Sequence, residues 1–198
     1  YGHIFELTRK HLESLITAKF GAQSAQTRAN RIFEGLYGRG KVPEWQPQFP
    51  EQTHLGTLEY LRSGYSFELP MTVSRFETSA MDGSSKLVMT LKDGLEIETV
   101  LIPERGRLTQ CLSTQVGCAQ GCRFCQTGRM GLLRSLTVSE IVGQLVVAEL
   151  WRRTQQGVVS EYDRATNLVF MGMGEPLDNL QSVLDARSEE HTSELQSR

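Results

Sequence analysis

Four cysteines fall within fifteen positions of a 198-residue chain, at Cys111, Cys118, Cys122 and Cys125. Thiolates are soft metal ligands and redox nucleophiles, so the clustering points to a metal centre, a disulfide framework or a reactive thiol. Two disulfides would suit a small secreted scaffold, but the rest of the chain has neither the size nor the composition that needs staples. Four thiolates close a tetrahedral zinc site. Zinc sites, however, usually pair two Cys-x-x-Cys knuckles, whereas here Cys118-x-x-x-Cys122-x-x-Cys125 stands together and Cys111 is set back by seven. A third possibility is a four-iron cluster, which three cysteines of one loop hold with one iron left open to another ligand. Spacing favours this last chemistry and leaves the other two open.

Three further features bear on it. Phe124, immediately before Cys125, is either a cover that keeps water from such a centre or an ordinary core aromatic. Gly172-Met173-Gly174-Glu175-Pro176 follows a short apolar run; a glycine turn at a strand's carboxyl end lets backbone approach a ligand and Glu175 could accept hydrogen bonds from a cationic amine, but most such turns are structural and only the cysteine loop upstream raises this one. Glu98 lies in Leu95-Glu96-Ile97-Glu98-Thr99-Val100-Leu101-Ile102-Pro103, where alternation sends Glu96 and Glu98 to the face opposite Leu95 and Ile97. From Val100 onward the strand is apolar on both faces, so Glu98 borders surface whose desolvation would raise its pKa toward that of a general base. Exposure to solvent is the competing reading.

The elements that must position these residues are legible in outline. Apolar residues recur at helical spacing between Leu7 and about Tyr37, broken at Gly21, and predict two short helices. Pro43, Pro47 and Pro50 mark a loop, and Leu55 to Leu61 predicts a third helix. After Pro70 the period changes. Thr72 to Thr78, Ser85 to Leu91 and Leu95 to Ile102 read as strands joined at Asp82-Gly83 and Asp93-Gly94, a β-meander. A strand near Leu108 to Ser113, the cysteine loop, a helix from about Val138 to Arg153 with Thr137 and Glu140 as a capping box, a strand at Asn167 to Met171 and a last helix capped by Asp178 complete the order. Strand, loop, helix, repeated, signals parallel α/β units. The expected division is therefore a helical module at 1–68, a meander at 69–105, an α/β core at 106–186 and a tail at 187–198.

Composition sets limits on function. Hydrophobic residues are 39% and charged residues 22%, an ordinary globular balance. No apolar run nears the roughly 18 residues of a spanning helix, and the first twenty residues are too charged for a signal peptide, so a cytoplasmic location is expected. The net charge of −2 provides no global attraction to nucleic acid. The one basic segment is Cys111 to Ser135, with Arg123, Arg129 and Arg134 and no acid. The chain begins at Tyr1, which suggests a processed product or a fragment. Its last twelve residues, RSEEHTSELQSR, resemble a translated sequencing adapter, so no role is given to His191.

CLSTQVGCAQGCRFCQTG, an SEI-headed helix and NLVFMGMGEPLDN together resemble the radical S-adenosylmethionine enzymes that methylate adenine in RNA. The resemblance covers roughly residues 5 to 186 and is nearer to the members acting on C2 of adenosine in 23S rRNA and tRNA than to those acting on C8. It implies the N-terminal part of a partial (β/α) barrel, preceded by an accessory RNA-binding domain in which Arg28, Arg31, Arg39 and Lys41 contact phosphates or simply form a solvated face. It implies a [4Fe-4S] cluster on Cys118, Cys122 and Cys125, and S-adenosylmethionine at Gly174 and Glu175. Glu98 is implied as proton acceptor. Cys111 is implied to resolve a protein–RNA crosslink through a transient disulfide; a buried free thiol or a fourth cluster ligand are its other readings. The implied partners are 23S rRNA, tRNA and an electron donor such as flavodoxin. The methyl-accepting cysteine of that family has no counterpart here, so the chain alone is expected to be inactive.

Overall fold

The computed structural model describes residues 2–37, 49, 53–156, 165 and 167–187. Arg39, Lys41, the three loop prolines and all but Arg187 of the adapter-like tail lie outside the described residues.

The chain opens with strand β1 (Gly2–His3), a 3-10 turn at Ile4–Glu6, and helices α1 (Arg9–Phe20), α2 (Ala25–Tyr37) and α3 (Leu55–Gly64). Thr8 caps α1 by accepting the His11 N–H, the role a short hydroxyl side chain takes at a helix start. In α2 the buried residues Ala25, Ala29, Ile32, Phe33 and Leu36 follow the 3.6-residue period and form one apolar stripe. Strand β2 (Tyr65–Ser66) closes the module by pairing in parallel with β1.

Four strands follow as one antiparallel run: β3 (Met71–Thr78), β4 (Ser85–Leu91), β5 (Glu96–Glu104) and β6 (Arg107–Cys111). The sequence ends the meander at β5. In the structure Arg105 and Gly106, both at positive φ, turn the chain back so that β6 becomes its fourth strand. After β6 come the short strand β7 (Gln115–Gly117), helix α4 (Gln126–Met130), strand β8 (Leu132–Ser135), helix α5 (Val138–Gln156) and strand β9 (Asn167–Val169). β9 lies parallel to β6, so β6, α5 and β9 form the expected crossover unit. The sheet order is β3-β4-β5-β6-β9, open at both ends among the described residues. A 3-10 turn at Pro176–Asn179 leads into α6 (Leu180–Arg187). The fold is mixed α/β, a partial barrel wall without closure.

Alternation along β4, β5 and β6 gives the sheet two unlike faces. Leu87, Met89, Ile97, Leu101 and Leu108 are buried on one face, toward which α5 presents the buried run Ile141 to Ala148. The other face carries Lys86, Glu98, Val100 and Cys111 and is half-open. A continuous apolar core runs from Ile4 and Phe5 through the sheet to Val183 and Ala186, so the helical module and the α/β unit share it. Among the described residues no helix is long and apolar enough to cross a membrane.

Candidate functional site

The cysteine loop is a closed excursion. β7 and β8 pair antiparallel, the Cys118 N–H donates to the Gly131 carbonyl at 3.0 Å, and residues 118–131 project from that base. Gly117 makes the base possible: its φ is +76°, and a Cβ there would lie 1.8 Å from the Gly131 oxygen. Strands this short show no alternation, so the sequence pattern does not reveal the hairpin. Within the loop Cys118 is buried, Cys125 half-buried and Cys122 exposed, and all four cysteines of the chain are free thiols. The Cys125 N–H donates to the Cys122 carbonyl at 3.0 Å. Backbone N–H groups of Gly128 and Thr127 hold the Cys125 thiol below its ordinary pKa, favouring the thiolate a metal requires. Phe124 is 93% exposed beside it, which rules out the core-aromatic reading.

Among the described residues no three His, Cys, Asp or Glu side chains are gathered closely enough to hold a metal ion. The donor chemistry nevertheless fits an iron–sulfur cluster: three soft ligands on eight residues of one loop, one already biased to the thiolate.

The glycine turn lies against the segment leading into that loop. Gly172 N–H donates to the Leu112 carbonyl (3.0 Å), and Thr114 and Gln115 N–H groups donate to the Met173 carbonyl (2.8 and 3.2 Å). The buried Gln115 amide accepts from the Glu175 N–H at 3.0 Å, and its Nε2 donates to Ser135 Oγ at 3.2 Å. Gly174 sits at φ +98° with a Cβ position 2.7 Å from the Gln115 nitrogen, so only glycine allows this approach. Asn179 Nδ2 donates to the carbonyls of Thr114 (2.9 Å) and Leu136 (2.8 Å), and Gln120 of the cysteine loop donates to Asp178 at 2.8 Å. Asp178 is therefore not the expected helix cap. Glu175 caps the 3-10 turn instead, accepting the Leu177 N–H at 3.1 Å, because the chain turns before Pro176 and α6 starts only at Leu180.

Glu98 and Cys111 share the half-open face. β5 and β6 pair with Val100 opposite Cys111, which puts Glu98 one alternate position further along the same side. The Glu98 carboxylate is 45% exposed and lies 3.5 Å from Lys86 Nζ; it points to the open face with its alternation intact, and Ile102 beyond it is exposed rather than buried. β5 itself thus does not form the apolar surround expected beside Glu98. The Cys111 thiol is pushed up by burial. Lys86 escaped the sequence reading because only strand register, with Lys86 opposite Val100, places it diagonally beside Glu98 on the same face. Arg134 is the other unforeseen residue: its guanidinium forks onto Glu140 (2.7 and 2.8 Å) and reaches Asp93 (2.7 Å), binding β8 to α5 and to the β4–β5 turn. Of the accessory cations, Arg28 is held 5.6 Å over the Phe20 ring, and Arg31 is partly buried with its own partners.

No protein-family model matches the chain. Among curated proteins, the dual-specificity RNA methyltransferase RlmN of Oleidesulfovibrio alaskensis is 40% identical over 184 residues, covering 91% of this chain and 48% of that protein. The protein of the same name from Syntrophobacter fumaroxidans is 43% identical over 159 residues, 80% of this chain and 43% of its own length. Among solved structures, a radical SAM methyltransferase from Sphaerobacter thermophilus matches with a TM-score of 0.72 at 34% identity, over 94% of this chain and 51% of that one. The chain spans about half the length of the curated relatives it matches.

Proposed function

We propose that this chain, which belongs to the RlmN/Cfr family of radical S-adenosylmethionine methyltransferases, is the part of such an enzyme that carries the cluster loop, the cofactor turn and the proton acceptor for methylation of adenosine C2 in 23S rRNA and tRNA. The observation that carries this reading is the direct lamination of Gly172–Glu175 onto Leu112–Gln115, the segment that feeds the cysteine loop. Cluster ligands and cofactor-binding backbone are thereby held as one unit.

Cys118, Cys122 and Cys125 would hold a [4Fe-4S] cluster, and Gly174 and Glu175 would receive S-adenosylmethionine. Held there, the cluster would supply one-electron radical chemistry to the bound cofactor, which is needed because an aromatic adenine carbon is a poor nucleophile. Glu175 offers an acceptor to a cationic amine from a turn whose backbone is already fixed. Phe124 stands ready to cover the site from water. Glu98, on the half-open face, takes the ring proton of adenine; Lys86 beside it holds the carboxylate in place. Cys111, on the same face, would attack as thiolate the sulfur of a methyl-carrying cysteine that none of the four cysteines here matches, forming a disulfide while the sulfur–carbon bond to RNA breaks and its electron pair, protonated, leaves the methyl group on adenine. Exposed Arg123 and Arg129 give the loop a local positive field for RNA phosphate or for an acidic electron donor such as flavodoxin. The division into an accessory RNA-binding module at 1–68, a meander at 69–105, a radical core at 106–186 and a non-native tail from 187, and a cytoplasmic location, belong to the same proposal.

The test is anaerobic reconstitution with iron and sulfide, followed by S-adenosylmethionine. An iron–sulfur chromophore that responds to the cofactor is expected, as is C2-methyladenosine in rRNA and tRNA from cells carrying the full-length gene. Stoichiometric zinc without iron uptake would refute the reading, and C8-methyladenosine would move the protein to the other branch of the family.

A further inference from the structure

Ser113 is fully buried between the two halves of the proposed site. Its hydroxyl donates to the Glu98 carbonyl at 2.5 Å and accepts the Met173 N–H at 2.8 Å, so both of its hydrogen-bonding roles are used. Its own backbone is gripped from α5. The fully buried Gln144 accepts the Ser113 N–H on Oε1 and donates from Nε2 to the Ser113 carbonyl, each at 2.9 Å. One turn of chain earlier the same device recurs: Thr99 Oγ1 donates to the Cys111 carbonyl at 2.6 Å, and Gln110 Nε2 reaches both Thr99 Oγ1 and the Gln144 carbonyl at 3.1 Å. A buried amide on an otherwise apolar helix face costs stability unless satisfied, and the Gln144 side chain bonds the Ser113 backbone and, within its own helix, the Glu140 carbonyl.

We infer that Ser113, clamped by Gln144, is a positioning residue that sets the Gly172–Glu175 turn against the strand from which Glu98 projects. The inference rests on the function proposed above and adds to it a residue that touches no reacting atom. Ser113 fixes the distance between the cofactor's binding turn and the proton acceptor, its hydroxyl holding the backbone of each rather than their side chains. A hydroxyl is required because one group must donate to one strand and accept from the other within a space closed to water. Alanine leaves both backbone groups unpaired, and the turn relaxes to find other partners.

The experiment uses the full-length protein reconstituted with iron. Ser113→Ala should keep wild-type iron content, since no cysteine is touched, while its dissociation constant for S-adenosylmethionine rises about tenfold, the factor expected of one buried hydrogen bond. Its KM for RNA should stay unchanged. Ser113→Ala should also lower turnover because it displaces Glu98, whereas Glu98→Gln should show normal cofactor affinity with lost turnover, and in turnover the double variant should lose less than the two single losses combined. Gln144→Met, which keeps side-chain length but frees the Ser113 backbone, carries the same expectation for affinity and stands in if Ser113→Ala fails to fold. Wild-type affinity in either variant, or strict additivity with Glu98→Gln, would overturn the positioning role while leaving the enzyme reading intact. A wild-type protein that binds no S-adenosylmethionine would overturn both.

Discussion

Cys125 and Cys111 differ in their readiness to ionise, for opposite local reasons. Two backbone N–H groups face the Cys125 sulfur and lower its pKa, whereas partial burial raises that of Cys111. The thiolate is the reactive form, so in metal-free protein Cys125 should be alkylated by iodoacetamide at a pH below that needed for Cys111, measured residue by residue by mass spectrometry. Reversal of that order would contradict the geometry described. Gly117 offers a second residue-scale check. Any side chain there meets the Gly131 carbonyl and must adopt a positive φ, so Gly117→Ala should prevent closure of the loop base. The expected outcome is loss of most reconstituted iron, as severe as Cys118→Ala, with far-UV circular dichroism nearly unchanged.

At the scale of elements, α5 is the structural spine behind the site, and its start is secured twice. Thr137 Oγ1 accepts the Glu140 N–H at 3.3 Å while Glu140 accepts the Thr137 N–H at 2.9 Å, the reciprocal box legible in the sequence. Glu140 also carries the Arg134 fork, which links it to β8 and Asp93. Thr137→Ala should therefore cost about 1 kcal/mol of unfolding free energy, the usual value of a lost cap. Glu140→Ala should cost about 2 kcal/mol, because it also strands a partly buried guanidinium. Denaturant titration of the full-length protein distinguishes the two, and equal costs would mean that the Arg134 link contributes nothing. Arg134→Met should then remove the difference between the two positions.

On the whole-molecule scale, the sheet ends at β9, which among the described residues pairs only with β6. α6 leaves Leu180 and Leu184, on one side of the helix, 47% and 48% exposed. Parallel strands are normally covered and flanked, and an open edge invites pairing with another copy. The 198-residue chain by itself should therefore sediment as a concentration-dependent mixture, whereas a protein extended to the relatives' full length should be monodisperse. RNA methylation is expected only of the longer protein. A stable monomer of the short chain at tens of micromolar would show that the edge is protected in some other way.

Much of this was readable before any coordinate. The cysteine triplet, the GMGEP turn, the meander and the α5 capping box are local patterns, each set by the ligand chemistry, torsional freedom or side-chain period of a few consecutive residues, and they appear where the sequence places them. Local patterns could not reveal what depends on register and on distant segments meeting. The two-strand base of the cysteine loop is too short for alternation to show. Lys86 faces Glu98 only because β4 and β5 pair with Val88 opposite Glu98. Asp178 matched a cap by position, yet Glu175 took that role once Pro176 set the turn. Ser113 and Gln144, unremarkable as letters 31 positions apart, became a clamp through burial, since a polar group removed from water must find its partner in three dimensions. The donor chemistry of the cysteine loop was thus a property of residue type and spacing, and the alignment of that loop, the glycine turn and the Glu98 strand a property of the packed sheet.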